Sequence, residues 1–174
     1  RANVGLAQVL VALGRIDKAR PMSLEIIEFS RTHGDKRNEH FGWHYLADCA
    51  LIAGNCSESF KLYQRSLALA AEIGDRIETA FEVQGVAMSL AGLGLPREAG
   101  VLEAAVNAEM DRIGADVHVT FWDALLEKYL GSARQHIGPE GAEAAHRRAA
   151  SMSFEDAVAM ALEIDPTNSP NTPA

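Results

Sequence analysis

Residues 38–76 read NEHFGWHYLADCALIAGNCSESFKLYQRSLALAAEIGDR. Two helical patterns meet there at Ala53-Gly54-Asn55, and a Gly74-Asp75 corner closes the second. The same punctuation lies on either side at a fixed stride. Turn glycines fall at Gly14, Gly54 and Gly94, and corner glycines at Gly34, Gly74 and Gly114, each series 40 residues apart. Small residues keep the register: Ala7, Ala47 and Ala87 inside the first helix of each pair, and Ala19, Ser59 and Ala99 after each turn. Chance rarely aligns so many residue types, so the pattern reads as a tandem repeat of helical hairpins.

Composition sets the outer bounds. With 174 residues, 48% hydrophobic and 23% charged, the chain has enough apolar material for a packed core and is not a disordered polymer. A formal net charge of −8 argues against a phosphate backbone as partner, so no direct nucleic-acid binding is expected. No apolar run has the length of a membrane span, and no signal peptide is visible. Two cysteines make no disulfide framework, which suits a reducing cytoplasm. The first residue is Arg1 rather than Met, as in a piece of a longer protein.

Hydrophobic spacing predicts helices over Asn3–Leu13, Ile16–Thr32, a third capped by Asn38, a fourth capped by Ser57, Ile77–Leu93, and a sixth from Pro96 to Ile113. The repeats then run about 1–37, 38–76 and 77–115. After Gly114 the period breaks. Asp116–Ile137 reads as one longer helix stopped at Gly138-Pro139, followed by Glu140–Ala150 and a last helix over Ser153–Ile164 with a capping box from Ser153 to Asp156. Residues 116–164 are thus a degenerate unit closing the core, and 165–174 a proline-rich linker or tail.

The small-residue pattern, the glycine at each interhelical turn and the aromatic Tyr63 resemble tetratricopeptide (TPR) repeats over residues 1–115. The stride of 40 is longer than the TPR period of about 34 and is similar to the helical repeats of large bacterial regulators of the LuxR and AfsR type. In those proteins a STAND-class ATPase precedes the repeats and a helix-turn-helix often follows; SMSFEDAVAMALE before a proline-rich stretch resembles the close of such a region. The resemblance implies an all-α, right-handed superhelical solenoid with a divergent C-terminal cap. It implies a non-catalytic interaction or sensing module that takes a protein or peptide partner, or a small inducer, in a concave groove. The rows lining that groove would be Arg1, Phe41 and Phe81; Val4, His44 and Gln84; and Gln8, Asp48 and Met88. A stand-alone scaffold for protein assembly is the alternative.

A third reading is a metal-dependent enzyme. His40, His44 and Asp48 are four apart and share a helix face, as divalent-metal ligands can. No HExxH pattern is present, and the three read rather as solvent-exposed polar residues beside the groove; no metal, cofactor or catalytic residue is assigned. Cys49 and Cys56, seven apart, fit neither a redox nor a zinc spacing and read as packed thiols. His146-Arg147-Arg148 is too small for a nucleic-acid footprint, and Trp43 and Trp122 read as packing. Phosphate-loop, dinucleotide and nucleophile-elbow motifs are absent.

Overall fold

The computed structural model describes residues 3–168, which contain helices and no strand. Arg1, assigned above to a groove row, and residues 169–174 of the tail lie outside the described residues. The helices are α1 (Val4–Ala12), α2 (Ile16–His33), α3 (Lys36–Ile52), α4 (Cys56–Ile73), α5 (Arg76–Gly92), α6 (Pro96–Ile113), α7 (Thr120–Leu126), α8 (Ser132–Ala150) and α9 (Phe154–Glu163). A π-helical turn, Glu127–Gly131, joins α7 to α8.

Glycine sets the helix ends. Gly14, Gly34, Gly54, Gly74, Gly94 and Gly114 all have φ between 66° and 82°, the left-handed region that a Cβ disfavours. Beyond each, the next residue's N–H reaches back five residues to a carbonyl: Arg15 to Leu10, Asp35 to Ser30, Asn55 to Ala50, Asp75 to Ala70, Leu95 to Leu90 and Ala115 to Met110, at 2.8–3.3 Å. This is the Schellman closure, which satisfies carbonyls that a helix end would otherwise orphan.

Three helix starts are capped by the residue after the glycine. Asp35 caps α3 by accepting from the Asn38 N–H at 3.1 Å, and Asp75 accepts from the Glu78 N–H at 3.3 Å in α5. Asn55 caps α4 through the Glu58 N–H. The caps expected at Asn38 and Ser57 are therefore corrected to Asp35 and Asn55: the Schellman turn delivers the chain straight into the next helix, so both expected caps fall inside its first turn. The third corner has Ala115 where the first two have aspartate, and no helix starts there. Residues 115–119 are irregular, and α7 begins at Thr120, not at Asp116.

The chain divides into two compact units, residues 1–82 and 83–174, with the boundary inside α5. In the first unit α3 packs between α2 and α4. Ala7, Ala19, Ala47 and Ser59 are fully buried, as their small size anticipates. A Cβ on Gly42 of α3 would stand 2.7 Å from Ile27 Cγ1 and 3.1 Å from the Ile27 backbone nitrogen, so α2 and α3 touch through that glycine. In the second unit α6 packs along α8, where Gly100 faces Ile137 and Ala145. Gly138 (φ 66°, ψ −177°) breaks α8 at the place where Gly138-Pro139 was expected to stop a helix. The Ser153–Asp156 capping box forms in both directions. Pro166–Asn168, at the start of the expected linker or tail, makes a single 3₁₀ turn, with Asp165 accepting from Thr167.

Candidate functional site: a buried histidine–carboxylate chain

The first unit holds several ionisable side chains in its interior. His40, His44 and Asp48 do share one face of α3, but that face is interior. His40 is 1% exposed and Asp48 and Glu82 are 0% exposed. The expectation of solvent-exposed polar residues is corrected here. Partners from α4 and α5 bond to them there and offset part of the desolvation cost.

The partners form a continuous chain. Tyr63 of α4 donates its hydroxyl to Asp48 Oδ1 at 2.6 Å. Asp48 Oδ2 lies 3.5 Å from His44 Nε2, and His44 Nδ1 lies 2.7 Å from Glu82 Oε1 in α5. His40 Nε2 reaches the same Glu82 Oε1 at 2.8 Å. Ser66 Oγ donates to the His40 carbonyl at 3.1 Å. Asp48 Oδ2 and Glu82 Oε2 are buried with no hydrogen-bond partner. The His44 ring thus has a carboxylate oxygen on each nitrogen, an environment that favours the imidazolium.

Burial opposes that charge, but Asp48 and Glu82 outweigh it and hold His44 up to about 10. Burial pushes Asp48 up to about 6, against the pull of His44 and the Tyr63 bond. Burial works to raise Glu82 as well, yet the two imidazoles overcome it and hold Glu82 down to about 2. Two carboxylates in one cluster are therefore driven apart, one firmly ionised and one titrating near neutrality. Burial, then Asp48, also raise Tyr63, and they raise the Cys49 thiol to about 12, so that thiol stays protonated and inert. Chemically, the chain can store a proton and pass it between fixed partners. Among the described residues no group of three or more His, Cys, Asp or Glu is placed to hold a metal ion.

Each of the other residues singled out in the sequence is placed within its own unit. Phe41 and Phe81 are half-buried in the first unit, and Phe41 stacks on Tyr45 with ring centroids 6.1 Å apart. Gln84 and Met88 belong to the second unit; Gln84 accepts from Trp122 Nε1 at 2.8 Å, and Met88 is fully buried. Val4 is half-buried and Gln8 exposed on α1. Trp43 lies under the Arg65 guanidinium at 5.0 Å, a cation–π contact. Cys49 and Cys56 are buried free thiols. Arg147 and Arg148 are exposed; Arg147 pairs with Glu143 on its own helix.

Two surface features escaped the sequence reading. Leu6, Val9 and Leu13 on the first hairpin, with Leu24 and Phe29 on α2, are 44–68% exposed. In the second unit a cleft of about 410 Å³ opens between α6 and the broken α8, with Val101, Ile137 and Ala144 in its lining. Its charged lining residues, Arg97, Arg148 and Glu140, are of both signs and all exposed. No protein-family model, no curated protein and no solved structure matches the chain. Among the described residues no helix is long and apolar enough to cross a membrane.

Proposed function

We propose that this chain is a non-catalytic interaction or sensing module: a TPR-like helical array that forms the repeat region of a larger bacterial transcriptional regulator. Its partner is a protein, a peptide or a small inducer. The observation that carries the reading is the distribution of side chains. The clustered acid–base groups are sealed in the core of the first unit, while five large apolar side chains stand uncovered on the first hairpin. Uncovered apolar rows on helical hairpins are the surface that protein partners use. The placement within a regulator rests on the glycine stride and on the resemblance of the closing motif. Binding at the helical array would act by favouring one packing of the helices over another.

The experiment has two arms. The gene on either side is read for an upstream phosphate loop and a downstream helix-turn-helix; finding either supports the regulator, and finding neither favours a stand-alone scaffold. The purified chain is assayed for ATP hydrolysis and DNA retardation. The expected result is neither activity. Robust turnover by this chain overturns the non-catalytic reading.

A further inference from the structure

We propose that His44 is the pin of a proton-operated clamp: with its proton it holds the first half of α5 against α3, and without it the buried carboxylates of the two helices force that contact open. Glu82 is contributed by α5 and Asp48 by α3, and the His44 ring lies between them at 2.7 Å and 3.5 Å. Both carboxylates are fully buried, and each has one oxygen with no hydrogen-bond partner. Two unneutralised carboxylates in such a place repel each other with little screening. The imidazolium is what lets them share one interior.

The groups facing the ring come from several elements. On α3 these are His40, Tyr45 and Asp48; on α4, Tyr63, whose hydroxyl is already committed to Asp48; and on α5, Glu78 and Glu82. Arg20 of α2 is bonded to Glu58. Arg31 of α2 pairs with Glu39, and α1 carries no charged residue. His40 is thus the other imidazole in contact with Glu82, and it lies beyond Glu82 from Asp48 in the chain of bonds. When His44 becomes neutral, one ring nitrogen turns a lone pair toward a carboxylate. The attraction on that side becomes repulsion. Water must then enter between α3 and the start of α5 to solvate the exposed charge.

The side-chain geometry also gives the direction. The clamp closes on the acid side and releases on the alkaline side, because release is proton loss from a cation. Glu82 stays ionised across that range, so the change is made by the imidazole.

The test follows the intact chain by NMR from about pH 6 to about pH 11, a span that begins near the ordinary imidazole value. The His44 ring resonances and the amide exchange of Ala80, Phe81 and Glu82 are measured together. The expected result is a ring that titrates well above the ordinary range, with exchange protection at those three amides falling about tenfold in step with it, while amides of α6 and α8 keep theirs. His44→Gln, neutral at every pH, is expected to lose that dependence, and His33→Gln, at an exposed position, to retain it. If His44→Gln does not fold, the titration of the unaltered chain decides alone. A ring that titrates in the ordinary range, one still charged at about pH 11, or one that loses its proton with no change in protection overturns the clamp.

Discussion

Tyr63 shows how much one hydroxyl can carry. Its bond to Asp48 Oδ1 spans only 2.6 Å, and the other Asp48 oxygen has no hydrogen-bond partner. Tyr63→Phe keeps the ring and leaves the whole carboxylate without this donor. The expected loss is about 1–3 kcal/mol in a urea unfolding curve, the cost of a buried acceptor left unsatisfied. The substitution also changes the pH profile. Asp48 is raised to about 6 in the fold, so its neutral form is favoured there. Its contribution therefore penalises the fold above about pH 6, and the penalty is relieved as pH falls toward about 4. The Tyr63 bond opposes that rise, so in Tyr63→Phe the upper edge of the window moves to higher pH. The alignment of His40, His44 and Asp48 on one face was legible from spacing alone. Their burial was not. Charged residues are almost never fully buried unless paired, and the partner that pairs them, Glu82, is 38 residues from His44 and belongs to another helix. Nothing local distinguishes Glu82 from an exposed glutamate.

At the scale of helices, the glycines were the most legible feature, because the requirement they meet is local. A left-handed residue at a helix end needs no tertiary context to be recognised. The caps were misplaced by a few residues for an equally local reason. Asn38 and Ser57 are good cap types, but the residues that take the caps are Asp35 and Asn55, each directly after its glycine. Asp35→Ala is expected to cost about 1 kcal/mol, since it removes the bond to the Asn38 N–H, while Ser57→Ala costs about 0.5 kcal/mol or less. Thermal unfolding of the two variants side by side checks the order, and equal losses would show that Asp35 is no cap. The corner at Gly114 closes α6 like the others, but the next helix begins only at Thr120.

Over the whole molecule, charge is unevenly divided. Residues 1–82 carry ten Lys and Arg against eleven Asp and Glu; residues 83–174 carry six against thirteen. The first unit is close to neutral and the second is strongly acidic, so self-repulsion falls on the second. Added salt screens repulsion between exposed charges over about 10 Å at 0.1 M. Amide exchange in α6 and α8 is accordingly expected to slow as sodium chloride is raised, and exchange in α3 and α4 to change less. A larger salt response in the first unit would contradict this division. The division itself was not visible in a sequence that reads as one continuous array, because α5 runs unbroken from Arg76 to Gly92 across the boundary.

Residues 115–119 have a practical consequence. They connect two packed helices, are largely exposed, and of their N–H groups Ala115 makes the turn-closing bond to Met110. New chain spliced into such a stretch displaces little buried surface, and lengthening a loop adds only slowly to its entropy. This bridge is the natural place to graft a fluorophore-bearing insert or to sever the polypeptide for reassembly from two fragments, leaving the proton-holding interior of the first unit untouched.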